Sequence, residues 1–423
     1  MLKYRKLFAT TVAVLAGACA GVAGPSFAAS NPSPAQMSAQ AAPASAVRYT
    51  ITDLGTLPGG SFSQAAATAL PGVVVGGSNG ADGLEHAVLW LRGRPVDIGP
   101  QGFNSDAFGV NLFGQVSGQT EIAAEDPLAE NFCGYFTGLQ CRPFVWQGGQ
   151  RKLLPVLGGN NGTVGDNVNL FGQIPGMAET SQADPNCPDA VSAMGTGPQR
   201  LSFKPVIWSA LSGNVRELRT LPGDDVGMAF WVNDLGQAVG VTGTCANTTL
   251  PPLSVGRHAV LWERDGTPVD LGNLGGIGDP AQPGVGNVAH AINDWGQVVG
   301  VSALAGNTAT HGFLWTRAGK MKSLDPLPGQ PQSGAVGINN LGDVVGVSFD
   351  GMLWDAVMAG NAAAVIWRNG GAPADLNQLV ANPTPLYMLF AFSINDAGEI
   401  VGLAFDTQSG QVHGFRATPV RGR

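Results

Sequence analysis

HAINDWGQVVG, residues 290–300, reads as a β-hairpin, and the same pattern returns along the chain. Asn293 opens a tight turn and bonds its own backbone. Gly296, three residues on, accepts the positive φ that closes a short loop without splaying the strands. The flanks are apolar and β-branched. Related copies are FGVNLFGQVSG (108–118), DNVNLFGQIPG (166–176), FWVNDLGQAVG (230–240), VGINNLGDVVG (336–346) and FSINDAGEIVG (392–402). AATALPGVVVG (66–76) is a degenerate seventh copy in which Asn is lost and Pro-Gly makes the turn.

A second element follows each hairpin: HAVLW (86–90), RPFVW (142–146), KPVIW (204–208), HAVLW (258–262), HGFLW (311–315), AAVIW (363–367) and HGFRA (413–417). A third follows a short turn, as PVDIG (95–99), KLLPVL (152–157), RELRTL (216–221), PVDLGNL (268–274), MKSLDPL (321–327) and PADLNQL (373–379). These number one fewer than the hairpins, and the missing member stands before the first hairpin as TITDLGTL (50–57). Each unit then holds strands A and B from the hairpin, C from the Trp-ended run and D from the DLG-like run. Seven such units predict an all-β, seven-bladed β-propeller over residues 48–420. Its ring closes when the N-terminal strand completes the last blade, which removes the open edge of a linear array. The composition agrees. Gly (62) and Pro (29) exceed a fifth of the 423 residues without a Gly-X-Y period, which disfavours helices and excludes collagen. Charged residues are only 12%, which argues against disorder.

The combination of DLGTLPGG, IND-x-GQVVG and HAFLW-like runs resembles the HAF-repeat family of extracellular repeat proteins, over about residues 49–418. The resemblance implies export and repeat architecture. It implies no activity and transfers no catalytic residue.

Residues 1–28 read as a signal peptide. Lys3, Arg5 and Lys6 precede an apolar run from Leu7 to Ala23, and Ser26-Phe27-Ala28 offers a cleavage site. Lipidation at Cys19 is the rival, although Ala16 stands where such sites carry Leu. Residues 29–47, rich in Ala, Pro, Ser and Gln, read as a flexible linker. Removing the leader leaves 19 basic against 30 acidic residues, net −11, with no basic cluster, so no nucleic-acid partner is expected. No further run is long and apolar enough for a transmembrane span. The expected location is extracellular, periplasmic or at the cell surface, as a monomer. Cys133, Cys141, Cys187 and Cys245 remain and suggest two disulfides, Cys133–Cys141 within one B–C loop and Cys187–Cys245 between blades three and four.

Catalytic motifs are missing: no G-x-S-x-G, HExxH, P-loop or CxxC occurs, and no cofactor, metal site or catalytic residue is expected. Repeated side chains radiate from blade to blade and do not converge. His86, His258, His311 and His413 therefore read as strand starts, the C-strand tryptophans as packing, and Asp53, Asp97, Asp270 and Asp375 as backbone or neighbour contacts. Departures from the repeat are the candidate binding residues. Asp166 and His290 replace the Phe or Val three residues before the turn Asn, on the strand nearest the channel. Trp295 and Trp354 fall in turns or loops outside the Trp register. The B–C segments 119–141, 177–203, 241–257 and 348–362 are long, whereas blades one, five and seven have about ten residues there. A wall of loops over blades two to four, with Phe132, Tyr135 and Phe136 as contacts, is the expected binding face. The function read from this is a binding or surface-interaction module for an extracellular glycan or protein. The alternatives are a polysaccharide-active hydrolase or lyase, and a purely structural envelope protein.

Overall fold

A computed structural model describes residues 47–187, 198–248, 256–278 and 286–420, without the side chains of Trp354 and Met358. The expected leader, the expected linker up to residue 46 and Cys19 lie outside the described residues. No helix among the described residues is long and apolar enough to cross a membrane. The described strands form seven four-stranded antiparallel sheets, each in the order A-B-C-D. The last sheet takes its outer strand from the other end of the chain: Tyr49–Asp53 pairs with Val412–Pro419. The protein is a seven-bladed β-propeller closed by its N-terminal strand.

Six of the seven A strands carry an irregularity just before the turn; in blade three it lies near the strand's start, between Gly158 and Gly162. The register slips between Ala65 and Ala67, Ala107 and Gly109, Ala229 and Trp231, Ala289 and Ala291, Ala335 and Gly337, and Ala391 and Ser393. Such a β-bulge re-aims the extra residue. Here the extra residues are Ala66, Phe108, Phe230, His290, Val336 and Phe392. Most of them join one central hydrophobic cluster drawn from all seven blades, and the other clusters lie between or within neighbouring blades. The bulge also explains the last glycine of each repeat. A Cβ on Gly118, Gly240, Gly300, Gly346 or Gly402 would stand 1.9–2.2 Å from a carbonyl oxygen of the A strand opposite. No larger residue fits there.

The turn asparagine makes both local and distant bonds. Asn293 Oδ1 accepts the N–H groups of Trp295 (3.1 Å) and Gln297 (3.0 Å), as the turn chemistry predicts. Gly296 takes φ +72°. Asn293 Nδ2 donates to Gln297 Oε1 (2.7 Å) and also to the carbonyl of Asn339 in the next blade (3.1 Å). The same inter-blade bond runs from Asn111 to Asn169 (2.9 Å), Asn169 to Asn233 (2.9 Å), Asn233 to Asn293 (3.1 Å) and Asn339 to Asn395 (3.1 Å). Asn395 closes onto Thr68 Oγ1 of blade one at 3.3 Å. A second set of bonds runs beside the first: the residue after each Asn donates its N–H to the side chain of its counterpart, from Leu170 through Asp234, Asp294 and Asn340 to Asp396.

Farther out, the C-strand tryptophans act as wedges. Trp90, Trp208, Trp262 and Trp367 are fully buried. Each donates its indole N–H to a D-strand carbonyl of the preceding blade: Leu54 (2.9 Å), Pro155 (2.7 Å), Arg219 (2.6 Å) and Asp325 (2.9 Å). The aspartates of the DLG-like runs cap their own turns, as Asp97 Oδ1 does for the N–H of Gly99 at 2.9 Å. Asp97 and Asp53 also pair with His86 (3.2 Å) and His413 (3.0 Å). These His, Trp and Asp side chains are thus bonded within and between blades.

Two predictions test this account. A chain starting at Arg48 should melt as the full chain does. One starting at Pro58 exposes the edge of Val412–Pro419 and should melt well below it; equal midpoints would exclude the closure. Asn293→Asp keeps the acceptor for the turn and removes the donor to the next blade. Its expected cost is about 1–2 kcal/mol in denaturant unfolding, the worth of one buried hydrogen bond. No change would mean that the inter-blade bond carries no stability.

Candidate functional site

A–B and C–D turns lie on one face of the ring, and B–C and D–A connections on the other. On the second face the blade-two loop, residues 126–138, is described throughout. The loops of blades three and four are described except for 188–197 and 249–255. Both expected disulfides form: Cys133–Cys141 and Cys187–Cys245. The first ties the blade-two loop to its own C strand, Leu139–Gln147, which already contains Cys141. The second joins the loops of blades three and four.

Polar groups extend this bracing. Asp126 Oδ1 accepts the N–H of Leu128 (2.8 Å), while its Oδ2 accepts Asn161 Nδ2 of blade three (2.6 Å). Glu130, fully buried, accepts the backbone N–H groups of Arg200 and Leu201 in the blade-three connection. Tyr135 donates its hydroxyl to Asp106 Oδ2 at 2.7 Å. Thr137 donates to Glu121, which also accepts the side chain of Asn104 at 2.7 Å. Disulfides and carboxylates link the described B–C segments of blades two, three and four to one another.

The structure corrects several expected contacts. Phe132 and Tyr135 point inward and join the central cluster, so neither offers a face to a partner. Their side chains fill the floor under the loop. Phe136 is 41% exposed with φ +59°. Trp354 opens a short helix, Leu353–Met358, and does not lie in a loop; its side chain lies outside the described residues. Trp295 is 76% exposed on the opposite face, where its indole N–H donates to Asn340 O at 2.9 Å.

Asp166 lies just beyond the end of its strand, Gly158–Val164, and not on it. Its N–H donates to Phe230 O of blade four at 2.7 Å, and burial pushes its carboxyl upward. His290 does occupy the bulge position. It is fully buried, and both ring nitrogens lack a hydrogen-bond partner. Burial lowers its pKa to about 3, and the Phe230 ring stands 5.3 Å away. Asp166 and His290 thus flank Phe230 on three successive blades near the axis.

One cluster of metal-type ligands occurs at the ring closure. Asp53, Asp406 and His413 bring ligand atoms within 4.8 Å of one another. All three are already engaged: His413 with Asp53 (3.0 Å) and Gln411 (3.2 Å), and Asp406 with Ser409 and the N–H of Gln408 (2.9 Å). Hydrogen bonding to Asp53 raises the His413 pKa. The second cluster, Asp184 with Cys187 and Cys245, has its sulfurs committed to a disulfide.

No family model and no curated protein matches the chain. Among solved structures it is similar to an oligogalacturonate lyase in complex with manganese, at 9% identity and TM-score 0.50, over 89% of this chain and 96% of that one. A Vibrio parahaemolyticus oligogalacturonate lyase matches at 8% identity and TM-score 0.48, over 87% and 93%. An Aleuria aurantia lectin in complex with Fucα1-6GlcNAc matches at 7% identity and TM-score 0.32, over 65% and 77%. At these identities the likeness is one of fold.

His290→Phe installs the residue that blades two, four and seven carry at this position. It removes a buried imidazole without partners, so unfolding at pH 7 should cost about 1–3 kcal/mol more. The gain should grow under acid. A depressed folded pKa means that the unfolded chain binds the extra proton, so wild-type stability falls as pH drops from about 6.5 toward 3. A destabilised variant in urea unfolding at pH 5 and 7 would mean that the buried site does not accept the Phe ring.

Proposed function

We propose that this protein is an exported β-propeller of the HAF-repeat type. It binds a glycan or protein partner through the wall of B–C loops over blades two to four. The observation that carries the reading is the bracing of that wall. Blades one, five and seven connect B to C with short loops, Gly80–Leu84, Leu304–Ala309 and Thr407–Gln411. The fold itself therefore does not need the longer ones. Fixing a long loop costs roughly 1–2 kcal/mol of backbone entropy per residue. Here two disulfides and buried carboxylates offset that cost. A surface held rigid loses less entropy when a partner binds. Disulfides persist in oxidising compartments, which agrees with the leader-like N-terminus.

The test replaces residues 126–138 by the blade-five connection, together with Cys141→Ser. Wild type and variant are compared on an array of neutral and acidic oligosaccharides and on immobilised envelope preparations. Binding should fall at least tenfold while the melting transition stays cooperative. A folded variant with unchanged binding would remove the face assignment. New reducing ends or unsaturated products released from a polysaccharide panel would make the protein an enzyme instead.

A further inference from the structure

The ring closes beside a cluster that brings three chelating side chains together from three strands. Asp53 ends the N-terminal strand Tyr49–Asp53, Asp406 ends the B strand Ile400–Asp406, and His413 stands near the start of the C strand Val412–Pro419. One ligand atom from each lies within 4.8 Å of the other two. His413 Nδ1 and Asp53 Oδ2 are 3.0 Å apart. Two ligand atoms bound about 2.0–2.2 Å from one ion stand about 3.0–3.5 Å from each other, so this pair already has the spacing of neighbours in a coordination shell.

Each of the three is also held from behind. The N–H of Gly55 donates to Asp53 Oδ1 at 2.8 Å, which leaves Oδ2 for the cluster. The N–H of Gln408 donates to Asp406 Oδ1 at 2.9 Å, and the Ser409 hydroxyl donates to Oδ2. His413 Nε2 faces Gln411 Oε1 at 3.2 Å. That oxygen only accepts, so Nε2 keeps its hydrogen and Nδ1 is the nitrogen left for a ligand. Outer partners of this kind orient the histidines and carboxylates of metal sites. Asp406 and His413 are buried, whereas the Asp53 side chain is 41% exposed and gives an ion a way in from solvent. The related histidines of other blades lack this convergence. His86 meets Asp97 at Nδ1 (3.2 Å) and Asp82 at Nε2 (3.1 Å), so its two acids stand on opposite sides of the imidazole. His258 Nδ1 pairs with Asp224 at 2.8 Å, and His311 Nδ1 faces the Ser323 hydroxyl.

We propose that Asp53, Asp406 and His413 form a site for a divalent cation of the zinc type, and that the ion clips the N-terminal strand to the last blade. One imidazole nitrogen and two carboxylate oxygens suit zinc or manganese, whereas calcium and magnesium take oxygen ligands. Three protein ligands leave a fourth tetrahedral position to water, on the open side by Asp53. The ion takes the place of the Nδ1 proton, which leaves to solvent. Asp53 and His413 lie 360 residues apart, so only the closed ring presents the full set. An ion that binds the closed form alone stabilises closure. The site is independent of the loops over blades two to four.

The test uses the untagged full chain, freed of metal with a chelator that is then removed. It is titrated with zinc chloride by calorimetry and unfolded in urea with and without the ion. Wild type should take up one zinc ion more than Asp406→Asn or His413→Gln does, and His86→Gln should match wild type. Zinc at ten times its dissociation constant should raise the folded-to-unfolded ratio about tenfold, and calcium should leave it unchanged. Asp53→Asn keeps an acceptor for the N–H of Gly55 and should fold without responding to zinc. Wild type that takes up no more zinc than the variants, or zinc that stabilises Asp53→Asn as much as wild type, would overturn the proposal. If the variants at the buried Asp406 and His413 do not fold, Asp53→Asn decides the matter.

Discussion

The turn asparagine is the constraint on which the ring depends. Its carboxamide has one acceptor oxygen and two donor hydrogens, and this fold uses all of them. The oxygen closes the A–B turn, one hydrogen bonds the Gln or Glu four residues on, and the other reaches the next blade's turn carbonyl, as at Asn233. Asp would keep only the first job. Where the repeat loses its Asn, at Ala69, the relay has no donor from blade one toward blade two. At the neighbouring seam, from blade seven to blade one, Asn395 donates to the Thr68 hydroxyl instead of a turn carbonyl, and two further bonds add to it: Glu399 accepts the N–H of Gly72 at 3.1 Å, and Gly414 donates to Ser63 at 3.0 Å.

Magnitudes separate two roles in this ring. A buried hydrogen bond contributes about 1 kcal/mol net, whereas truncating a buried Trp costs about 3–5 kcal/mol. The wedges between blades, Trp90, Trp208, Trp262 and Trp367, therefore supply most of the cohesion. The asparagines set the angle and height at which blades meet. The bulge beside each turn follows from that geometry. In six of the seven blades it turns one residue toward the axis, and a glycine stands on the B strand opposite. A polar residue placed there, as His290 is, meets an apolar wall and no partner.

The two faces of the ring differ in how they are made. The turn face is stitched by short repeats and varies little from blade to blade. The loop face carries the surplus chain, fixed by two disulfides and by carboxyl groups buried under the blade-two loop. Acidic side chains are an unusual choice for such a floor.

The architecture was legible in the sequence because its determinants are local and recur. An Asn and a Gly three residues apart specify a turn by backbone chemistry alone, and the seven C-strand runs beside only six D-strand runs after the hairpins imply closure by residues 50–57. Disulfide pairing followed once the loops were placed. The candidate site was legible only in part. Phe132 and Tyr135 look like exposed loop aromatics from their neighbours, yet both are buried, because the floor that receives them comes from other parts of blades one to three. The neighbouring buried carboxyls of Glu85 and Asp106, and those of Glu130 and Glu179 joined by Gln199, lie 21 and 49 positions apart, and no spacing rule connects them. The second amide hydrogen of each Asn, the bulge behind each turn and the glycine opposite it were equally hidden. Turn, strand and period are set by each residue's own backbone and nearest neighbours, so the sequence alone determined them. Which polar groups meet, and which stay without a partner, depends on how blades distant along the chain pack together, and only the tertiary structure decided that.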